Sequence, residues 1–492
     1  MHGVTGRMGM NQHLIRSIVA IRSEGGVLLA NGDRVMPDPI LIGRNAEKIE
    51  ALAKAQGIAR WGTDLAAALA NPDDSVFFDA GTTQMRPTLL ASAIRAGKHV
   101  YCEKPIATNL NQAVEIARLA QDANTRSGLK HGAVQDKLVL PGLRKLDMLR
   151  RAGFFGRMLS LRLEFGYWVF EGDLQPIQRP SWNYRKEDGG GMILDMMCHW
   201  RYVLDNLFGE VQSVSCLGAT HIPTRWDESG QPYDATADDA AYATVQPKGH
   251  NGEPVAVQIN MSWATRVRRD DLVTFHVDGT HGSAVAGLSS CRAQSRVTTP
   301  RPVWNPAVKQ TMNFHDQWQE VPDSMVYDNG FKIQREHFIR HVVEDAPYRW
   351  TLPEGAKGVQ LVEAALQSWK ERRHSDALLG IFDAIAPAAN AALAALATGD
   401  TARFHAILAP TLPLSRHIFA APTRFYKTGV VFMAWLNGHQ RHFTMVGGQQ
   451  GARSLIHFAE LFRLADAAGL IEQPGLAARR MTHLLALHGV EA

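Results

Sequence analysis

Glu103-Lys104-Pro105 follows directly on the apolar run Val100-Tyr101-Cys102. Far downstream stands Gly189-Gly190-Gly191-Met192-Ile193-Leu194-Asp195-Met196-Met197-Cys198-His199, where Asp195 and His199 lie four residues apart and share one face of a helix. An ammonium, a carboxylate and an imidazole are the groups that proton transfer at a hydroxyl or a carbonyl calls for. Lys104 in a closed, partly apolar site is expected to have a lowered pKa and to carry a proton. As a cation it would polarise a carbonyl oxygen in the reverse direction. His199 titrates near neutrality and takes or relays the proton, and Asp195 orients His199 or holds a substrate hydroxyl. Such acid–base help is worth about 10²–10⁴ in rate. The three glycines before the helix fit a turn that brings backbone close to a ligand.

The chain opens with a second glycine pattern, Gly3-Val4-Thr5-Gly6-Arg7-Met8-Gly9. This G-x-x-G-x-x-G spacing is a variant of the dinucleotide fingerprint, in which a tight turn and a helix N-terminus receive a pyrophosphate. Gly3, Thr5, Gly6, Arg7 and Met8 would hold that group, and residues 10–22 read as the helix. Only Met1 and His2 precede Gly3, whereas the fingerprint wants an apolar strand there. Either the true start lies upstream, or a central strand is missing and the cofactor site is compromised. At Leu41-Ile42-Gly43-Arg44-Asn45 an acidic residue would bind a ribose 2′-hydroxyl; Arg44 and Asn45 stand there instead. A guanidinium suits a 2′-phosphate, which favours NADP over NAD; a solvated turn arginine is the plainer alternative.

The elements around these motifs divide the chain into three parts. In residues 1–130, strands at 39–42, 75–78 and 99–102 alternate with helices at 47–55, 64–70, 88–96 and 111–123, the pattern of βαβ units and a parallel sheet. In residues 131–373, alternating segments at 157–165, 212–218, 240–246, 254–262 and 271–278 read as an antiparallel sheet, closed by helices at 330–344 and 353–373. Residues 374–492 are rich in Ala and Leu, with one β-like run at 377–382 and helical spacing at 388–397, 427–436, 454–464 and 476–487. The fold class is thus an α/β Rossmann domain, an α+β domain and a mainly helical tail.

Lys and Arg number 52 against 48 Asp and Glu, a balance that argues against a nucleic-acid binder working by broad phosphate neutralisation. Cys102, Cys198, Cys216 and Cys291 form no CxxC pair, so neither a zinc ribbon nor a disulfide scaffold is indicated, and no metal site is expected. No apolar run reaches the roughly 18 residues of a membrane helix, and the first residues lack the apolar stretch of a signal peptide. A cytoplasmic protein is expected.

Across the Gly3–Gly9 turn, the Ala96 to Pro105 stretch and the Gly189 to His199 stretch, the first 373 residues or so resemble the Gfo/Idh/MocA oxidoreductase family. The resemblance implies a Rossmann domain, a second domain with an open antiparallel sheet that pairs copies of the chain, and NAD(P)-linked hydride transfer on a sugar, polyol or glycoside-derived alcohol. It places Thr82 and Glu103 with the cofactor, and Gln135, Asp136 and Lys137, which follow an apolar strand at 132–134, near nicotinamide or substrate. Thr82-Thr83-Gln84-Met85-Arg86-Pro87 departs from the family's usual Thr-Pro-Asn with a downstream histidine. Trp182, Asn183 and Arg185, with Trp200 and Arg201, suit a sugar's apolar faces and hydroxyl edges, or else packing between domains. The tail is similar to the C-terminal part of a dihydrodipicolinate-synthase-like family of unknown function, through Leu414-Ser415-Arg416-His417, Tyr426-Lys427-Thr428-Gly429 and Trp435-Leu436-Asn437-Gly438. Its catalytic strands and Schiff-base lysine are absent, and Lys427 does not replace them. A cofactor-deficient binding protein and, further off, a Schiff-base lyase are the alternatives to an oxidoreductase.

Overall fold

Met1 and His2 hold the place of the short first strand. In the computed structural model, which describes residues 1–250, 252–373 and 384–491, His2 bridges in parallel to both Ile42 and Asp79. Its N–H donates to Phe78 O (2.8 Å), its carbonyl accepts from Ala80, and Met1 O accepts from Ile42 N–H (2.9 Å). These bonds join a parallel pair, Ile40–Ile42 with Arg60–Gly62, to a parallel trio, Val76–Asp79, His99–Cys102 and His131–Ala133. His2 thus stands at the centre of a doubly wound order, between the pair and the trio.

Both faces of this sheet are covered, as a parallel sheet requires. Phe77, Val100 and Cys102 pack with Leu90, Ala93, Ala113, Ile116 and Ala120, from the helices Arg86–Arg95 and Leu110–Ser127. Phe78 and Tyr101 point the other way, toward Phe338 of the helix Gly330–Glu344. The helix after the glycine turn, Gly9–Val19, is a wide π-type helix that continues as α-helix over Ala20–Ser23.

The second layer is an eight-stranded sheet in the order Gln319–Glu320, Cys291–Ser295, Gly282–Ala286, Val273–Gly279, Met158–Gly166, Ala256–Ser262, Ala240–Lys248, Glu210–Ala219. It is mixed rather than antiparallel: Met158–Gly166 runs parallel to Ala256–Ser262. The long connection between those two strands carries the helix Met192–Leu207, so they can meet in parallel. That helix buries Met196, Met197, Trp200, Val203 and Leu204 against Leu161, Leu163, Ile259, Phe275 and Val277. Each large apolar side chain so buried stabilises the fold by roughly 1.5–3 kcal/mol. The opposite face of the sheet carries the exposed side chains Leu217 and Tyr242, which are register partners.

The chain divides into two compact units, Met1–Arg372 and Arg373–Ala492. In the second, helices Ala386–Ala397, Thr401–Leu408, Leu412–Ile418, Tyr426–Leu436, Leu455–Ala467 and Pro474–Leu487 enclose a core of Leu414, Ile418, Phe432, Leu436, Leu461 and Ala477. The β-like run at 377–382 lies outside the described residues. Among the described residues no helix is long and apolar enough to cross a membrane, and all four cysteines are buried.

Candidate active site

The strand His99–Cys102 ends at Glu103 and delivers Lys104 to the start of the helix Met192–Leu207. Lys104 Nζ lies 2.8 Å from Asp195 Oδ1 and donates to the Asp195 carbonyl at 3.1 Å. Asp195 Oδ2 accepts from Arg179 Nη2 at 2.8 Å, and Arg179 also donates to Asn183 Oδ1. The Arg179 guanidinium lies 4.1 Å from the Trp263 ring centre. Asp195 sits in the first turn of its helix, where a negative charge is favoured. It is held as a carboxylate: burial opposes this, and the cations of Lys104 and Arg179 outweigh it.

The expectation of a lowered pKa for Lys104 is corrected. Burial pulls it down, but the Asp195 carboxylate, with Cys198 and Glu103 behind it, pushes it above the ordinary lysine value. Lys104 is therefore a standing ammonium. His199 goes the other way, well below 6.5, because it is buried and feels the charges of Lys104 and Lys137. The resting site thus pairs a protonated lysine with a neutral imidazole.

No hydrogen bond joins Asp195 to His199 among the described residues, so Asp195 clamps the lysine instead of orienting the histidine. That second task falls to Tyr202, whose hydroxyl is 2.6 Å from His199 Nδ1. Tyr202 lies 3.4 Å from Asp136 Oδ1 and accepts from Lys137 N–H at 3.3 Å. Asp136 is buried and bonded to Lys137 Nζ at 2.6 Å. Burial raises the Asp136 carboxyl, and Lys137 and His199 bring it below its usual value.

The helix Met192–Leu207 is set in place by Asp238, whose Oδ2 accepts from Ile193 N–H at 2.7 Å. Gly191 has φ +122°, and a Cβ there would meet Asp238 Oδ1 at 2.8 Å; one on Gly190 would meet the Trp182 and Asn183 carbonyls at 2.5 Å. Gly190 and Gly191 are thus required by the protein's own packing. Trp200 is corrected likewise, being a core residue between Phe165 and Phe275, and Arg201 pairs with Asp205. Trp182 is half-exposed, Arg185 lies 4.3 Å over the Tyr233 ring, and among the described residues no hydrogen bond or ion pair ties either to the Lys104 cluster. Gln135 is buried, with its N–H held by Gln334 Oε1 at 2.7 Å.

The glycine turn at the chain start fits a dinucleotide. Gly3 has φ +77°, and a Cβ there would sit 2.3 Å from Gly81 N; one on Gly9 would sit 2.3 Å from Gly3 O. Both glycines answer to the protein's own packing. Gly6 does not: a Cβ there meets only Gly3 O, at 3.5 Å, and Thr5, Gly6, Arg7 and Met8 are all exposed. A side chain at Gly6 would fill the space that a pyrophosphate takes over such a turn. Thr82 is exposed on the loop after Asp79, whose carboxylate bonds His2, Gly81 N–H and Arg86. Buried Arg86 also donates to the Gly81 and Pro105 carbonyls, tying this loop to the lysine segment.

Arg44 is exposed and makes no hydrogen bond or ion pair among the described residues. Asn45 caps the helix Ala46–Ala55, accepting from Lys48 N–H at 2.9 Å, so its side chain has a structural task. Glu103 is likewise engaged within the protein, as set out below. Arg179, Tyr202 and Arg86 were missed from sequence, whereas the polar Gln135-Asp136-Lys137 run after an apolar strand had pointed to Asp136.

Residues 39–131 match the oxidoreductase family, NAD-binding Rossmann fold, and residues 143–285 match the GFO/IDH/MocA C-terminal domain. Residues 357–490 match a protein family of unknown function, DUF993. The chain is 55% identical to the D-xylose dehydrogenase of Paenarthrobacter nicotinovorans over 376 residues, covering 76% of this chain and 96% of that one. It is 28% identical to the 1,5-anhydro-D-fructose reductase of Ensifer adhaerens over 211 residues, 40% of this chain and 55% of the relative. A solved levoglucosan dehydrogenase in complex with NADH and levoglucosan shares the fold, with TM-score 0.60 at 20% identity over 75% of this chain and 96% of that one. An NAD-binding oxidoreductase from Klebsiella pneumoniae matches equally, at TM-score 0.60 and 20% identity, with the same coverage of both chains. With a Rossmann sheet, a glycine turn left open at Gly6 and a charged cluster at Lys104, the chain belongs to the Gfo/Idh/MocA family of oxidoreductases, joined to a C-terminal segment of the DUF993 family.

Proposed function

We propose that the chain is a pyranose dehydrogenase that oxidises a ring hydroxyl of D-xylose or a close relative, with Lys104 and His199 handling the proton. The observation that carries this is the pairing of an Asp195-clamped ammonium with a neutral histidine one helical turn on. The 55% identity to a D-xylose dehydrogenase over nearly its whole length supports the sugar.

A bound nicotinamide supplies the hydride acceptor, and Gly3 to Met8 would hold its pyrophosphate. His199 takes the hydroxyl proton at Nε2. For Nε2 to be free to accept, neutral His199 carries its hydrogen on Nδ1, which donates to the Tyr202 oxygen while the Tyr202 hydroxyl donates to the Asp136 carboxylate, and this chain stabilises the imidazolium once it forms. The Lys104 ammonium stabilises negative charge on the substrate oxygen as it develops. Arg179 keeps Asp195 from swinging away from Lys104, and Asn183, which accepts from Arg179, belongs to the same wall. In the reverse direction Lys104 polarises the carbonyl and His199 returns the proton.

Unpartnered Arg44 supports a preference for NADP over NAD. Exposed Leu217 and Tyr242 on one face of the eight-stranded sheet support pairing of two copies there, and four buried cysteines suit a reducing cytoplasm. The helical C-terminal unit is read as a structural appendage, its Lys427 being exposed on the helix Tyr426–Leu436. The test is reduction of NADP and NAD, followed by absorbance, with D-xylose, levoglucosan and a panel of polyols. The reading expects turnover with D-xylose. No turnover with any sugar, together with no change in NADPH fluorescence on titration, would replace it with a cofactor-deficient binding protein.

A further inference from the structure

We propose that His13 is a positioning residue for Lys104, acting through the carboxylate of Glu103. This rests on the reading of Lys104 as a group that touches substrate. His13 lies on the helix Gly9–Val19, which follows directly on the glycine turn, and is 1% exposed. Its Nε2 stands 2.7 Å from Glu103 Oε1, and its Nδ1 stands 3.2 Å from Arg335 Nη2. A guanidinium only donates, so Nδ1 carries a lone pair and Nε2 carries the hydrogen. His13 therefore donates to Glu103. The other carboxylate oxygen, Oε2, accepts the backbone N–H of Lys104 at 2.9 Å. A single carboxylate thus links a side chain of the cofactor-turn helix to the peptide that carries the lysine.

The surroundings make this link stiff. The His13 ring centre is 4.6 Å from Phe78, and the Phe331 ring stands edge-on at 5.0 Å. The Arg335 guanidinium lies 3.9 Å from the Phe78 centre and 4.7 Å from that of Tyr101. Burial would push the Glu103 carboxyl up, yet the His13 hydrogen bond and nearby charges bring it down to about 2. A buried histidine, carboxylate and arginine gain little stability over an apolar cluster of the same volume. Their geometry finds its use in fixing where Lys104 begins, while Asp195 fixes where it ends.

The test measures kcat, sugar KM and cofactor Kd by fluorescence for His13→Leu and His13→Gln, each in the wild-type and Lys104→Ala backgrounds. His13→Leu is expected to lower kcat about 10- to 100-fold, with cofactor Kd held within about twofold. His13→Gln keeps a donor for Glu103 and is expected to regain most of the loss. In the Lys104→Ala background, His13→Leu should change the residual rate by less than about twofold, because its effect runs through the lysine. An equal loss in both backgrounds, or a Gln variant as poor as Leu, overturns the proposal. Should His13→Leu not fold, Glu103→Gln takes its place, with the same required loss in wild type and absence of loss without the lysine. If Lys104→Ala itself leaves turnover unchanged, the reading of Lys104 fails; if it cuts turnover while His13→Leu does not, only the present inference fails.

Discussion

Replacing Asp195 by asparagine removes a charge that two cations share. Asp195 Oδ1 and Oδ2 each accept a charge-assisted hydrogen bond at 2.8 Å, from Lys104 and Arg179. Such bonds contribute about 1.5–3 kcal/mol each. The side chains of Lys104, Arg179 and Asp195 are 18%, 20% and 29% exposed, so the lower end applies. At 1.36 kcal/mol per pKa unit, losing the carboxylate lowers the Lys104 pKa by at least about one unit. The sign follows from what remains. In the wild type Asp195 holds the proton on Lys104 above its ordinary range, so activity is expected to persist at alkaline pH. In Asp195→Asn, burial and the Arg179 charge both favour the neutral amine. The alkaline limb of the kcat/KM profile should move down by about one to two pH units, with turnover at neutral pH reduced about 10- to 100-fold through loss of orientation. Stopped or continuous absorbance assays across the alkaline range read both. An alkaline limb that stays put, or moves up, would refute the assignment of Lys104 as an ammonium held by Asp195.

Gly6→Val should weaken cofactor binding about 10- to 100-fold while leaving Tm within a degree or two, since a Cβ there meets only Gly3 O, at an ordinary contact distance of 3.5 Å; Gly3→Ala, at φ +77° and against Gly81 N, should lower Tm sharply by comparison. Arg44→Ala should raise the Kd for NADPH more than that for NADH, as read by fluorescence titration; equal losses would free Arg44 of any 2′-phosphate contact. Stability should fall as pH drops below about 6.5, because His131, His13 and His199 are all held neutral by burial, while the unfolded chain takes their protons first. His131, lowered to about 4, costs about 2 kcal/mol of stability by pH 5, and calorimetric Tm values across pH 5–7.5 that do not decline would contradict this.

Contiguous signals were legible from the residues alone. Glycines at 3, 6 and 9, the Glu103-Lys104-Pro105 run after a strand, and the four-residue spacing of Asp195 and His199 each encode a local geometry. The parallel strands and the tail helices were likewise readable from periodicity, to within a few residues in most cases. What was lost was pairing over distance. His13 meets Glu103 across 90 residues and Arg335 across 322, and nothing in a short window signals such a match. Lys104 was misjudged for the same reason: its burial could be guessed from the strand before it, but its counter-ion belongs to another element. Strand direction was lost because a period of two says which face a residue takes, not which way its neighbour runs. The role of Tyr202 was hidden among the apolar residues of its helix, where a tyrosine reads as core.

The central claim is that Lys104 and His199 flank one substrate oxygen. A crystal structure with reduced cofactor and D-xylose tests it most directly. The account predicts a sugar hydroxyl within hydrogen-bond reach of both Lys104 Nζ and His199 Nε2, its carbon facing the nicotinamide. A sugar bound with that hydroxyl toward Trp182 or Arg185, and no oxygen near Lys104, would contradict it.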